Sequence, residues 1–457
     1  MTTLFSTIKT ARPALALLGL GLAGLAGCQP NLDATSPAAS AGPLDFTSYV
    51  AVGNSLTAGY TDGGLFNEGQ ATSYPALLAQ QFAKTGKGPA SFVQPAFSSA
   101  KKDGSGYIKL QAVNGALAPV QPTAANNYLG EQVARTGAVL PGGDQLEAYS
   151  GNQPDNLGVP GISVLSSVSA LTNGLAPYGA INPFYERLLT TAEKTTKDYV
   201  AYIGQKTPTF FTCWMGNNDV LAYATAGGVV AATNPFGGLT DTTRFGIGYR
   251  AILQTISKNG TVKGAVANIP NVTSVPYFNT VTVAAVLASY QRAIPGLTAI
   301  YIQPGTTTGA ANARVATSAD LLTLTAQAFI AANTGVGTSA ATAIPSQYVL
   351  DATEIASVTA RTTQLNAIIA KTAQRFKVPV FDANSFLTSV ASSGIYTNGV
   401  NNTATFASGN TFGLDGVHPT PRGYAIIANE WIRVINSYYG STIPNVDPNT
   451  YRGVLLP

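Results

Sequence analysis

Histidine, cysteine and charged residues are all scarce in this chain. Its 457 residues include 1 His and 2 Cys, and only 10% of them are charged. A single histidine excludes a metal site built from several histidines, and two cysteines cannot form a disulfide framework. We therefore expect neither a bound metal ion nor another cofactor.

An excess of charge of one sign is also lacking. The chain has 25 Lys and Arg against 21 Asp and Glu, a formal net charge of +4, and the basic residues form no runs. Proteins that bind nucleic acids concentrate basic residues in a patch or stripe, so we expect no nucleic-acid partner. The hydrophobic fraction of 45% excludes a disordered chain, and the length fits one large domain or two smaller ones.

The first 27 residues are predicted to be a signal peptide. Two basic residues precede an apolar run, Pro13–Ala26, which is too short to cross a bilayer as a permanent helix. The run ends in Leu25-Ala26-Gly27-Cys28, which resembles a bacterial lipobox, in which the cysteine becomes the new N-terminus and carries lipid. The alternative is an ordinary secretory signal with an incidental Cys28.

The lipobox resemblance sets the expected location. An inner-membrane retention signal has Asp after the cysteine, whereas this chain has Gln29, which favours a lipid anchor in the outer membrane of a bacterial envelope, on either face. Residues 28–44 are rich in Ser, Ala, Pro and Gly and predict a flexible tether. A folded domain is expected over 45–440, followed by a C-terminal tail at 441–457.

Short apolar runs alternate with helical patterns in the rest of the chain. The predicted strands are Tyr49–Val52, Thr209–Met215, Ala265–Ile269 and Val378–Phe381. The predicted helices cover 73–82, 162–172, 184–204, a segment from the capping box of Asp351 and Glu354 to Phe376, and 421–438. This alternation indicates an α/β domain with a parallel sheet.

Two long segments depart from this alternation. Residues 83–155 are rich in Gly and Asn, and we predict loops and hairpins there. Residues 280–345 are rich in Gly, Thr and Ala without a sharp period. We predict that this second segment is an inserted lid or cap, which could cover a binding pocket.

Polar groups follow the predicted strands, and ligands of parallel α/β sheets bind beyond the carboxyl ends of strands. Ser55 follows the first strand, and Asp415 lies three residues before His418, the only histidine. A carboxylate on one imidazole nitrogen fixes the tautomer, and the other nitrogen can then take the proton of a serine hydroxyl. The three residues are therefore a candidate nucleophile, base and acid, although a capping serine and a structural histidine would fit the same positions.

Acyl transfer also requires hydrogen-bond donors for the negative charge that develops on the carbonyl oxygen. The candidate donors are the Ser55 N–H, the Gly161 N–H and the Asn218 side-chain amide, each of which is also common in ordinary turns. Cys213, inside an apolar strand, is predicted to be a buried, unreactive thiol. Asp382 is predicted to cap a loop.

Four short motifs, in this order, resemble those of the SGNH/GDSL hydrolase family. They are Gly53-Asn54-Ser55-Leu56-Thr57-Ala58-Gly59-Tyr60, the glycine at 161, Gly216-Asn217-Asn218-Asp219, and Asp415-Gly416-Val417-His418-Pro419. The resemblance covers roughly residues 46–440, without the two long segments.

The resemblance implies a flavodoxin-like three-layer α/β/α sandwich with a parallel sheet and inserted loop or cap segments. It also implies that Ser55 is the nucleophile, with His418 and Asp415 as base and acid. Gly161 and Asn218 complete an oxyanion hole in this reading. One position departs from the family pattern: Asn54 stands where Asp is usual, so a charge is lost while an acceptor oxygen remains.

These observations predict an exported serine esterase that hydrolyses carboxylic esters through an acyl-enzyme. The sequence does not identify the substrate, since small esters of short or medium acyl chains, acetylated glycans, lipids and thioesters all fit. An α/β-hydrolase is disfavoured because the chain has no G-x-S-x-G motif. The alternative is a non-catalytic surface lipoprotein that binds glycan or lipid, suggested by Asn54 and the insertions.

Overall fold

The computed structural model describes residues 38–113, 116–121, 134–140, 143–168, 182–232, 234–306 and 309–457. The predicted signal peptide, Cys28 and most of the predicted tether lie outside the described residues. The described strands are β1 (Tyr49–Gly53), β2 (Lys109–Val113), β3 (Ala116–Val120), β4 (Arg135–Leu140), β5 (Gly143–Leu146), β6 (Asn156–Gly158), β7 (Phe210–Trp214), β8 (Lys263–Ala267), β9 (Tyr301–Ile302), β10 (Arg314–Val315), β11 (Leu321–Leu322), β12 (Val349–Leu350), β13 (Val380–Phe381), β14 (Ile395–Thr397) and β15 (Val400–Asn402).

Helices fill much of the chain between these strands. The described helices are α1 (Ser55–Ala58), α2 (Asn67–Ala71), α3 (Tyr74–Ala83), α4 (Val164–Ser167), α5 (Pro183–Glu186), α6 (Tyr199–Ile203), α7 (Asn218–Thr225), α8 (Thr242–Ile256), α9 (Pro276–Asn279), α10 (Val283–Gln291), α11 (Leu324–Ala332), α12 (Ala352–Phe376), α13 (Ala383–Ser393) and α14 (Pro421–Tyr439).

Five of the strands form one parallel sheet, in the order β13-β8-β7-β1-β6. Numbered along the chain among themselves, they follow the order 2-1-3-4-5, which is the order of flavodoxin-like sheets. Chain connections leave β1 and β7 in opposite directions across the sheet, and the crevice at this switch point is where such folds bind ligands. The predicted fold class is therefore confirmed.

Helices cover both faces of this sheet. Successive side chains of β1 point to opposite faces, so Val50 and Val52 pack in one core cluster while Tyr49 and Ala51 pack in another. The first cluster includes residues of α6, α8 and α12, and the second includes residues of α3 and α14. All residues of β1 and β7 are buried, as expected of central strands covered on two sides.

Three of the predicted helices are present, but the predicted helix over 184–204 is wrong. Short helices α5 and α6 occupy its two ends. Between them the Glu193 carboxylate accepts hydrogen bonds from the backbone N–H and the hydroxyl of Thr190, and the Asp198 carboxylate accepts from the Ala201 N–H. Such local caps start and end turns and therefore compete with a continuous helix. Similarly, α4 covers only the first part of 162–172, where residues beyond 168 are not described.

The two long segments are folded insertions. The described part of 83–155 contains the hairpins β2–β3 and β4–β5, as predicted. The segment 280–345 has a small hydrophobic core of its own, which includes Ile300, Ile302 and Ile344. Just before it, the Tyr277 N–H in α9 donates to the Gly416 carbonyl oxygen at 2.8 Å, so the insertion starts directly beside the motif that contains His418.

The folded domain begins inside the segment 28–44, which is predicted to be a flexible tether. Residues Ala39–Pro457 form one compact unit, and Ala41 and Leu44 are buried in it. Ser40 and Thr442 exchange two backbone hydrogen bonds, of 3.3 and 2.9 Å, so 39–44 is packed structure. Among the described residues, no helix is long and apolar enough to cross a membrane.

Candidate active site

Ser55 lies at the junction of β1 and α1, at the carboxyl edge of the sheet. Asn54 is the N-cap of α1, and its Oδ1 accepts a hydrogen bond from the Leu56 N–H at 3.1 Å. A Cβ atom on Gly53 would lie 2.0 Å from the Thr57 hydroxyl oxygen, so this turn has room only for glycine. The amide of Asn54 thus supplies the helix cap that an Asp would otherwise supply.

The structure brings Ser55 and His418 into direct contact. The Ser55 Oγ lies 2.8 Å from His418 Nε2, although the two residues are 363 positions apart. On the other side of the ring, His418 Nδ1 lies 2.8 Å from Asp415 Oδ2. The predicted spatial relation among the three side chains is present.

The carboxylate of Asp415 is held by backbone donors from two segments. Its Oδ1 accepts from the N–H groups of Val417 and His418, both at 2.8 Å, and its Oδ2 accepts from the Gly63 N–H at 2.7 Å. Burial alone raises the pKa of Asp415, but electrostatic attraction to His418 and the hydrogen bonds from His418 and Val417 outweigh burial and lower its pKa below the usual value. An ionised Asp415 keeps the proton on Nδ1 and leaves Nε2 as an acceptor for the serine proton.

The ring of Tyr60 stands beside the imidazole. Its centroid is 4.6 Å from that of His418, and its hydroxyl donates to the Gly63 carbonyl at 2.6 Å. The Tyr424 hydroxyl in turn donates to the Tyr60 carbonyl. Tyr60 therefore shields one side of His418, a role that its place in the first motif did not indicate.

The three candidate oxyanion donors lie around the same cavity as Ser55. Neither the Ser55 N–H nor the Gly161 N–H donates to any other described residue. Gly161 has φ +79°, a left-handed backbone that favours glycine. Asn218 is the first residue of α7, and its Nδ2 donates one hydrogen bond to the Ile162 carbonyl at 2.8 Å, which leaves its second N–H available.

Asp219 holds this donor loop in place by a contact that no sequence motif indicated. Its fully buried carboxylate accepts from the Val164 N–H at 2.8 Å and from the Leu165 N–H at 3.3 Å, at the start of α4. It thereby joins the third motif to the loop that carries Gly161. Burial raises the pKa of Asp219 to about 6, with the hydrogen bonds opposing that rise.

The cavity above Ser55 has a volume of about 410 Å³. Its wall combines polar side chains with five Phe and Tyr rings, those of Tyr60, Phe184, Tyr185, Tyr199 and Phe236. Among the described residues that line it there is no Lys or Arg, and its one carboxylate is that of Asp198. None of the described residues of 280–345 lines the cavity, so the prediction that this insertion covers the pocket is wrong: its side chains are folded around their own core.

Two other predicted features, the buried thiol of Cys213 and the capping carboxylate of Asp382, are found where expected. Cys213 is fully buried in β7, and burial raises the pKa of its thiol. Asp382 caps α13, where its carboxylate accepts from the Ser385 N–H and hydroxyl. The described residues contain no group of three or more His, Cys, Asp or Glu side chains that could hold a metal ion.

A flavodoxin-like sheet with Ser, His and Asp side chains in a hydrogen-bonded row at its carboxyl edge is typical of serine hydrolases. The family model described as GDSL-like Lipase/Acylhydrolase matches residues 49–431. The chain belongs to this family, as its four motifs predict, and is a hydrolase of the lipase and acylhydrolase type. A search of curated proteins found no match.

Proposed function

We propose that this protein is a serine esterase that hydrolyses carboxylic esters through an acyl-enzyme on Ser55. The row of two 2.8 Å contacts, from Ser55 Oγ to His418 Nε2 and from His418 Nδ1 to Asp415 Oδ2, carries the proposal. A serine hydroxyl is a weak nucleophile until a base within hydrogen-bond distance removes its proton.

In the first half of the reaction, His418 Nε2 takes the proton from Ser55 Oγ as the oxygen attacks the ester carbonyl carbon. The carbonyl oxygen becomes negatively charged and accepts hydrogen bonds from the Ser55 N–H, the Gly161 N–H and the Asn218 amide. When the bond to the alcohol oxygen breaks, His418 gives its proton to that oxygen and the alcohol leaves.

In the second half, water replaces the alcohol. His418 removes one proton from the water, whose oxygen attacks the acyl carbon, and the same donors stabilise the second tetrahedral intermediate. The bond from the acyl carbon to Ser55 Oγ then breaks, and His418 returns the proton to the serine. The products are a carboxylic acid and free enzyme.

The cavity favours uncharged esters. With five aromatic rings and no lysine or arginine among its described lining residues, it offers apolar contact to an acyl or alcohol group and no cationic side chain for a phosphate. Esters of short or medium acyl chains and acetylated glycans both meet this description. A series of nitrophenyl esters of increasing chain length, run beside an acetylated glycan, would identify the preferred class.

The test of the reaction uses a fluorophosphonate probe and a nitrophenyl ester. The wild-type protein should be labelled and should hydrolyse the ester, whereas Ser55→Ala should do neither and His418→Ala should lose hydrolysis. Tight glycan or lipid binding by a wild-type protein that is neither labelled nor active would favour the non-catalytic surface lipoprotein instead.

We further propose that the protein is exported and anchored by lipid on Cys28, in the outer membrane. The lipobox-like end of the signal peptide and the Gln29 that follows it support this location. Labelled palmitate should enter the wild-type protein and not Cys28→Ser. Equal incorporation into both would contradict the anchor without affecting the proposed reaction.

A further inference from the structure

Two segments on either side of the candidate active site hold each other by an exchange of hydrogen bonds. The Asp62 Oδ1 accepts from the Leu414 N–H at 2.8 Å, and the Asp415 Oδ2 accepts from the Gly63 N–H at 2.7 Å. Each carboxylate therefore binds the backbone next to the other carboxylate. We call this arrangement of Asp62, Gly63, Leu414 and Asp415 the reciprocal clasp.

We propose that Asp62 is a positioning residue, which fixes the segment carrying Asp415 and His418 against the segment carrying Ser55. The inference rests on the proposed esterase function, because it concerns the geometry of that site. Asp62 does not line the cavity, and it contacts the segment of Asp415 and His418 through the backbone N–H of Leu414.

The surroundings of Asp62 leave its carboxylate little freedom. The residue is 2% exposed, and a Cβ atom on Gly413 would lie 2.7 Å from Asp62 Oδ1, so the two segments are in close contact. Its backbone has φ +50°, which is unfavourable for a residue with a Cβ and is found where the surroundings impose it. The Ile108 N–H donates to the Asp62 carbonyl at 2.7 Å and helps to hold that conformation.

The C-terminal tail supplies a positive charge beside the Asp62 carboxylate. Arg452 Nη1 lies 3.5 Å from the second carboxylate oxygen of Asp62, and the same guanidinium binds Glu68 with contacts of 2.7 and 3.0 Å. Burial raises the pKa of Asp62 to about 6, which the Leu414 hydrogen bond and Arg452 oppose. The tail predicted at 441–457 is thus part of the support of the site.

Three variants of Asp62 show whether the site requires the acceptor oxygen of this residue or its negative charge. Asp62→Ala removes the acceptor for Leu414, and we expect kcat to fall by about 10- to 100-fold with KM within about 2-fold, because small misplacements of reacting groups have effects of this size. Asp62→Asn keeps an acceptor oxygen and should retain kcat within about 5-fold. Asp62→Glu keeps the charge but adds a methylene where Gly413 leaves no room, so its kcat should fall as in the alanine variant.

Asp320 provides the matched control. It is 4% exposed, accepts a hydrogen bond from the Thr317 N–H at 2.8 Å and pairs with Arg314, so its removal disturbs a similar buried carboxylate far along the chain from the clasp. Asp320→Ala should lower the melting temperature and leave kcat per folded molecule unchanged.

The proposal is overturned if Asp62→Ala keeps its kcat, if its KM rises in proportion to the lost activity, if Asp62→Asn loses as much activity as Asp62→Ala, or if no Asp62 variant folds. A Ser55→Ala variant in the same assay keeps the two proposals apart. If Ser55→Ala remained as active as the wild type, the esterase mechanism itself would be wrong, whatever the Asp62 variants do.

Discussion

The serine and the histidine of the candidate site are held in place by different kinds of structure. Ser55 begins the helix that follows the central strand β1, and Asn218 begins the helix that follows β7, so regular parallel strands carry both to the same edge. His418 follows no strand of the central sheet and lies in an irregular segment between β15 and α14. Its position depends on Asp415, the reciprocal clasp and the contact between Tyr277 and Gly416. We therefore expect changes near Ser55 to alter chemistry directly and changes near His418 to alter alignment.

The largest loss of kcat is expected from replacing Asp415, which lies in the irregular segment that carries His418. Asp415→Asn should lower kcat by about 10⁴-fold, because an amide donating to Nδ1 stabilises the wrong imidazole tautomer and removes the acceptor for the serine proton. Steady-state kinetics with a nitrophenyl ester would measure it. A loss below about 10-fold would show that Asp415 does not orient His418.

A smaller loss of kcat is expected from replacing Asn218, which begins the helix after strand β7. Asn218→Ala should lower kcat by about 10²- to 10³-fold because it removes one oxyanion donor while leaving the serine and histidine in place. Asn217→Ala is the matched control, since the buried Asn217 amide makes no hydrogen bond to another described residue and does not line the cavity. Equal losses in both variants would argue against a specific donor role for Asn218.

Backbone alignment on the irregular side can be tested at Gly416. Its φ is +71°, and a Cβ atom there would lie 2.9 Å from the Tyr277 backbone nitrogen. Gly416→Ala should lower kcat by about 10-fold or more as the segment shifts. Gly440 is the matched control, because its φ of +69° is similar and a Cβ atom there would meet open space. Gly440→Ala should therefore introduce the same backbone strain without lowering kcat.

The smallest expected effect is a change in the free energy of unfolding with pH. It arises from Asp219 and Asp415, since folding shifts the pKa values of these two carboxyl groups in opposite directions. Asp219 has a folded pKa of about 6, above its ordinary value of 3.8, so the folded state binds more protons between these values. Its contribution to the free energy of unfolding should therefore decrease as pH rises from about 4 to 6, by at most about 3 kcal/mol. The lowered pKa of Asp415 gives the opposite sign, with stability lost as pH falls.

Urea unfolding of the wild type and of Asp219→Asn at pH 4 and pH 7 would measure this difference. The wild type should exceed the variant in stability by more at pH 4 than at pH 7. A difference that grew with pH would contradict the raised pKa.

The sequence predicted the parts of the site that regular structure or short-range spacing determine. Ser55 follows a recognisable strand, and Asp415 lies one turn before the single histidine. The sequence did not predict that Asp62 and Asp219 support the site. Each carboxylate accepts from the backbone of a segment that is distant along the chain, and no residue pattern indicates such a contact. The wrong helix over 184–204 has a related cause, since side-chain caps there outweighed the helical pattern.

The paired backbone bonds between Ser40 and Thr442 have a mechanical consequence. The chain enters the folded body beside Thr442, so a pulling force applied to the residues before Ser40 acts first on these two hydrogen bonds. The strands that carry the reacting groups are not stretched until that bridge opens. Tension on the residues before Ser40 would thus load this bridge before it reaches β1 and Ser55.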